Sequence, residues 1–370
     1  ESYMADIHQM AETGESITEP MRTRVPTFSW EELLFKGAQL ATLPINKDVH
    51  VETETIIGPG AKKPLAIQLP FFITHMSFGA LSSEAKTALA MGSAAVKTAM
   101  CSGEGGILPS SIDNAYKYIF EYVPNRYSVT EDNLKRVGAI EIKFGQSAKP
   151  GMGGHLPGEK VTNEIADIRG FRPGESITSP SRFDDIQNRA DLKKKIDWLR
   201  EVSEGRPIGV KFAAGNIEAD LEAALYAEPD FITIDGRAGA TGAAPKYVKA
   251  STSVPTIFAL CRARKFLDEN SAGNISLIIT GGIRISADIA KALAIGADAV
   301  AIGTAALMAI GCQQYRICNT GKCPMGIATQ DPTLRQNLSV NKSARKLENF
   351  MNATANVYEG TEPPFKCPYC

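Results

Sequence analysis

The sequence predicts an α/β chain built on a closed (β/α)₈ TIM barrel, and three observations carry this. From Pro64 onward, strand-like apolar runs alternate with helix-like stretches, the pattern of a parallel sheet. Eight such units occupy about 250 residues, the size of one closed barrel. Glycine-rich loops follow several different strand candidates, so they would share one rim at the C-terminal ends of the strands. An open doubly wound sheet is the rival architecture.

The elements follow in order. Residues 1–60 form an irregular N-terminal extension, with short helices expected over 4–10 and 30–41 and a turn-rich stretch over 18–26. The barrel spans 61–340. Its strand candidates are 65–73, 99–101, 139–144, 208–212, 231–234, 254–257, 275–279 and 299–302. Helices are expected over 82–95, with Ser82 or Ser83 as cap, over 217–226, from 257 to 267, and over 286–294. A Cys-rich loop over 312–323 follows the last strand, and residues 341–370 form a tail ending in CPYC.

Composition narrows the function classes. Among 370 residues, 40 Lys+Arg nearly balance 41 Asp+Glu, for a net charge of -1. Without a long run of one sign, nucleic acid and anionic membranes are not expected partners. The apolar runs are too short for a transmembrane helix, and no secretory signal is visible. A cytoplasmic location is therefore expected. Five of the seven cysteines fall in two tight clusters, which in a chain without an export signal reads as metal ligation.

Cys312, Cys318 and Cys323 lie in CQQYRICNTGKCP, spaced C-x5-C-x4-C with Pro324 next. Three thiolates suit an iron–sulfur cluster, and a three-iron cluster is the simplest match to three local ligands. Structural zinc fits less well, because no C-x2-C pair takes part. The segments Thr280-Gly281-Gly282-Ile283-Arg284 and Ile302-Gly303-Thr304-Ala305 each join an apolar run to a helix. Such glycines and helix starts at two adjacent strand ends make a phosphate cradle, although tight turns alone would also use them. Lys211 ends an apolar strand. A buried ammonium there must face an anion, and the N1/O2 edge of a reduced flavin is such a target; an exposed strand end is the plain alternative. Asp235 opens a Gly/Ala-rich loop where backbone would approach a ligand. The loop 147–155 offers Lys149 and His155, and Arg169 follows. Lys149 and Arg169 could clamp a dicarboxylate. No G-x-G-x-x-G follows a strand, so a nicotinamide site on this chain is not expected.

Long, ordered motifs then carry a resemblance. HMSFGALSSEA (75–85), CSGEGG (101–106), EIKFGQSAKPGMGGHLPGEKV (141–161), DGRAGATGAAP (235–245), TGGIRISADIAKALAIGADAVAIGTAALMAIGC (280–312) and CPMGIATQDP (323–332) look like the FMN-binding domain of glutamate synthase. The resemblance implies FMN, a [3Fe–4S] cluster, and reduction of the imine formed from 2-oxoglutarate and ammonia to L-glutamate. It implies that Met76, Ser77 and Gly79 form the first flavin loop and that Lys211 lies at the flavin ring. Gly281, Gly282, Arg284, Gly303 and Thr304 then form the phosphate site. Glu104, Lys149 and Arg169 attend 2-oxoglutarate, and the three cysteines hold the cluster. His155, Ser181-Arg182-Phe183-Asp184-Asp185 and Arg237-Ala238 depart from the residues common in large members. These departures point to stand-alone subunits, among which enzymes making N-methylglutamate are the alternative. The expected partners are a glutaminase-like subunit, a glycine-repeat subunit, and ferredoxin or a separate NAD(P)H-oxidising subunit. Oligomeric assembly is expected with them. From another class, the alternatives are a non-redox phosphate-binding barrel with structural cysteines and an electron-transfer or scaffolding subunit. The terminal Cys367-Pro368-Tyr369-Cys370 offers half of a further metal site or an interface element.

Overall fold

The computed structural model describes residues 3–46 and 49–356. Eight parallel strands close into one barrel: β1 Phe71–Ile73, β2 Ala99–Cys101, β3 Lys117–Tyr122, β4 Ala139–Lys143, β5 Ile208–Ala213, β6 Phe231–Asp235, β7 Ser276–Thr280 and β8 Ala299–Ile302. Closure comes from pairing of β8 with β1, with Val300 opposite Phe71. The strands read as near-continuous apolar runs because both faces are covered, by helices outside and packed side chains inside. Ile140, Val210, Ile232, Ile234, Leu277, Ile279 and Val300 belong to one buried core with the helices. Phe72, Ala99, Ile119, Ala139, Phe231, Ile278 and Ala299 form a second cluster.

Three strand expectations are corrected. Residues 65–73 are two strands. Leu65–Ile67 pairs antiparallel with Thr55–Ile57, and only Phe71–Ile73 enters the barrel. Pro70 separates them and has no N–H to continue a ladder. Lys117–Tyr122 was absent from the expected strands because Lys117 and Glu121 interrupt its apolar pattern. Glu121 points into a buried polar network, and Lys117, half-buried at the strand's start, lies over the Tyr116 ring. Residues 254–257 are not a strand: Pro255 starts the helix Thr256–Glu269. Lys211 thus lies within the fifth strand, β5, two residues before its end, and Asp235 ends the sixth, β6.

The helix expected over 30–41 is only a turn, Trp30–Glu32, closed by a Ser29/Glu32 capping box. Beyond it the sequence offers no buried face, and Leu34 and Leu40 are almost fully exposed. Ser82 caps the helix Ser83–Ala95 through Ala85 N–H, as expected. Residues assigned to the tail include most of the helix Val340–Asn356, which packs along Ser83–Ala95. Gly92 makes the close approach possible: a Cβ there would meet Leu347 Cβ at 2.8 Å. Cys367 and Cys370 lie outside the described residues.

Candidate functional site

One cavity of about 640 Å³ opens at the C-terminal ends of the barrel strands. Met76, Ser77, Glu104, Lys149, His155, Arg169, Lys211, Asp235, Gly281, Gly282, Arg284, Gly303, Thr304, Cys312, Cys318 and Cys323 all line it. Residues spread over 248 positions thus meet because every loop leaving a parallel barrel strand exits on the same rim. Gly79 alone among the expected site residues stands behind the lining. Its φ of +109° turns the loop under Arg169, whose Nη2 would lie 3.0 Å from an added Cβ.

The floor is a buried charge network. Lys211 Nζ lies 3.3 Å from Glu121 Oε1. Burial opposes its charge, but Glu121, Glu141 and Asp235 outweigh that and push its pKa above the ordinary lysine range. Glu141 accepts a hydrogen bond from Thr233 Oγ1, and its Oε2 lies 3.1 Å from His75 Nε2. His75 Nδ1 accepts the Gly103 N–H at 3.1 Å, which orients the ring. His75, Glu121 and Glu141 have donor atoms close enough for one ion, but the Lys211 ammonium already provides the positive charge there. Asp235 accepts from Ser147 N–H and Oγ. Burial raises its carboxyl pKa, against the pull of Lys211.

The side wall carries the cations. Lys143, at the end of β4, donates to Glu104 Oε2 at 2.7 Å, and Glu104 Oε1 accepts Gly154 N–H at 3.0 Å. Lys149 donates to Gly153 O at 3.0 Å. Burial and then Lys143 lower its pKa. Arg169 donates to Phe78 O at 2.6 Å and stacks 5.4 Å from the Tyr127 ring centroid. Among the described residues its buried Nε has no hydrogen-bond partner.

Glu104 supplies a pH prediction. Burial alone would raise its pKa, but the Lys143 charge and hydrogen bond bring it from 4.5 down to about 2. A carboxylate with a depressed pKa stabilises the fold fully above its ordinary value, and that contribution is lost as pH falls through the folded value. Stability therefore drops between pH 4.5 and about 2, and Glu104→Gln is expected to flatten that part of the curve. Urea midpoints for the two proteins across this window check it; parallel curves would refute it.

At the other wall, Gly281 and Gly282 adopt φ of +112° and +81°, and the short helix Thr304–Ala309 begins without a side-chain cap. Arg284 lies beside them. Its pKa falls to about 10 through burial and the nearby Arg22, with Asp288 opposing. A partly buried guanidinium, freely turned glycines and an uncapped helix start suit a phosphate.

The three cysteines border the same cavity, with Cys323 buried. Gln314 N–H points at Cys312 Sγ at 3.4 Å. Burial raises the thiols of Cys312 and Cys318, and each is raised further by a neighbouring cysteine. A tetrahedral zinc, with Zn–S of about 2.3 Å, would draw its sulfurs within about 4 Å of one another. Among the described residues no cysteine trio has its sulfurs within 4.8 Å. The three thiols thus do not form a preset mononuclear zinc site.

A strap from the N-terminal extension roofs the mouth. Thr18–Glu19 pairs antiparallel with Ala244–Pro245, and Met21 N–H donates to Thr241 O at 2.7 Å. Lys249, fully buried, meets Glu19 Oε2 at 2.8 Å. Arg316, from the Cys loop, donates to Pro20 O and Arg22 O at 3.0 and 2.9 Å.

The expected site residues did not include His75, Glu121, Glu141, Lys143 or Lys160. Charges set within the apolar runs KYIFEY and AIEIK are the same signal that singled out Lys211. The strap had no such signal.

These loops make the chain one of the ligand-binding (β/α)₈ barrels. Comparison with known proteins narrows that class. Residues 8–360 match the family model described as a conserved region in glutamate synthase, and the chain belongs to the glutamate synthase family. The archaeal-type glutamate synthase [NADPH] of Thermotoga maritima is 36% identical over 378 residues, covering 96% of this chain and 75% of that protein. The glutamate synthase large subunit-like protein of Rhizobium meliloti is 36% identical over 368 residues, covering 94% and 83%. The archaeal glutamate synthase of Methanocaldococcus jannaschii is 41% identical over 303 residues, covering 81% and 59%. Among solved structures, a Pediococcus acidilactici lactate oxidase superposes with TM-score 0.54 at 15% identity, covering 86% of this chain and 78% of that one. A flavocytochrome b2 variant superposes with TM-score 0.54 at 16% identity, covering 90% and 73%. At such identity these two share the fold. No helix among the described residues is long and apolar enough to cross a membrane.

Proposed function

We propose that this chain is the synthase barrel of a glutamate synthase, an oxidoreductase that converts 2-oxoglutarate and ammonia to L-glutamate. The observation that carries the reading is the single cavity into which the cations, the anion cradle and the three cysteines all open. When bound, FMN supplies the hydride that reduces the imine carbon, and a [3Fe–4S] cluster supplies the electrons that restore it. Arg284, Gly281, Gly282, Gly303 and Thr304 would hold the FMN phosphate, with Lys211 at the ring. Cys312, Cys318 and Cys323 would hold the cluster.

The remaining chemistry belongs to side chains. Arg169 and Lys149 bind the two carboxylates of 2-oxoglutarate, and Lys143 extends that positive wall. Glu104 fixes the Lys143 ammonium and the Gly154 backbone, so it shapes the pocket and also lies beside the amine. Met76, Ser77 and His155 border the substrate, and the strap limits water entry. Ammonia comes free or from a glutaminase-like partner. Electrons come from ferredoxin or a pyridine-nucleotide-oxidising partner, in keeping with the NADPH in the names of several relatives.

The test is anaerobic purification, flavin and iron analysis, and turnover with a one-electron donor and 2-oxoglutarate, with ammonia, glutamine and methylamine as separate amine sources. Flavin and iron with glutamate formed from ammonia or glutamine is the expected result. Preference for methylamine would reassign the amine, and full activity in a colourless, iron-free protein would overturn the reading.

A further inference from the structure

Lys160 has no part in the chemistry above, yet it is buried at 8% exposure and borders the cavity. It lies on the turn Gly158–Lys160, in the loop that joins Lys149 and His155 to Arg169. Its Nζ donates to the backbone oxygen of Cys318 at 2.9 Å. Its stem packs on Gly321, where an added Cβ would approach Lys160 Cε to 2.9 Å.

Its charge lacks a partner. Among the described residues no carboxylate oxygen lies within 4.0 Å of this ammonium. Of the other lysines, Lys149 is likewise buried with one carbonyl acceptor, Gly153 O, but it belongs to the substrate wall; the rest differ. Lys143 has Glu104, Lys211 has Glu121 and Lys249 has Glu19. Lys86 has no carboxylate but donates to three carbonyls, of Met76, Cys101 and Ser102. Lys160 has one carbonyl. Of the two cations inside the Cys loop, Arg316 is met by Glu19 at 3.5 Å and Lys322 is exposed. A buried cation without a counter-ion is costly, and the groups whose charge would favour this one are Cys318 first and then the adjacent Glu159.

We propose that Lys160 is the fixed counter-charge of the cluster held by Cys312, Cys318 and Cys323, and so couples the substrate loop to the redox loop. This rests on the reading that the three cysteines hold an iron–sulfur cluster. Reduction adds one electron from an external one-electron donor to the cluster and makes it more negative. A fixed positive charge beside it, in surroundings poor in water, favours the reduced state and raises the potential. Lys160 acts through electrostatics and the Cys318 backbone, as a positioning residue.

The experiment is a redox titration of the cluster in the full chain, followed by electron paramagnetic resonance, for the parent, Lys160→Met and Lys160→Arg. Lys160→Met is expected to lower the cluster's electron affinity at least tenfold, which for a one-electron couple is about 59 mV towards negative potential. Lys160→Arg should stay near the parent. Loss of iron from Lys160→Met with retention in Lys160→Arg also supports the counter-charge. An unchanged potential in both variants, or equal loss of iron from both, overturns it while leaving the cluster reading intact. A parent that binds no iron on anaerobic reconstitution overturns both.

Discussion

Replacing Lys211 with Met is expected to destabilise the barrel by about 3–5 kcal/mol, the usual cost of breaking a buried ion pair from one side. Met fills most of the space of the lysine stem, so lost packing is a small part of the effect. The ammonium is the loss. Lys211 is 4% exposed, and the Glu121 and Asp235 side chains around it are buried, as is Glu141. Without the cation these carboxylates must take up protons or admit water. The denaturant midpoint should fall, most steeply above neutral pH, where proton uptake is hardest. Adding Glu121→Gln to Lys211→Met should recover part of the loss, because it removes one of the stranded charges. A loss below 1 kcal/mol, or no recovery in the double variant, would show that the network is not held by this pair.

The second large effect belongs to Arg169. Arg169→Gln is expected to lower kcat/KM for 2-oxoglutarate by roughly 10- to 150-fold, the equivalent of one charged hydrogen bond worth about 1.5–3 kcal/mol. The guanidinium is already positioned, through the Phe78 carbonyl and the face of Tyr127, and its buried Nε remains available. The effect should fall mainly on KM, because the contact forms with a carboxylate that the reaction leaves unchanged. Arg169→Lys should recover little, since a point charge does not replace a planar fork. Steady-state kinetics with 2-oxoglutarate varied would show it, and an unchanged KM would remove Arg169 from the substrate site.

Much of the cavity's lining was legible in the sequence. Lys211, the cradle at Gly281 and Gly303, and the three cysteines each break the surrounding pattern: a charge in an apolar run, glycines at two strand ends, thiols in a polar loop. The fold class was legible for the same reason, since strand and helix periods alternate clearly. The barrel was nevertheless counted with one false strand and one missing. Pro255 introduces a helix that begins with apolar residues, and Lys117–Tyr122 hides a strand behind Lys117 and Glu121, of which Glu121 finds its partners only in the closed barrel. The strap over the mouth was not legible. Its contacts are backbone hydrogen bonds, a Glu19–Lys249 pair and the Arg316 guanidinium on the Pro20 and Arg22 carbonyls, which leave no periodicity in the segments that make them.

That strap also bears on how the molecule assembles. Arg316 and the Pro20 oxygen it binds are 296 residues apart in the chain, and Lys249 and Pro20 are 229 apart. Closing loops of that length is entropically costly, so such contacts form only after shorter-range structure has reduced the search. On the ribosome, residues 18–22 leave the exit tunnel early, but their anchors at Lys249 and Arg316 are made much later. The first part of this site to be synthesised is therefore among the last to dock. Until it does, the barrel mouth stands uncovered by residues 18–22, and the cavity is more open during assembly than in the finished fold.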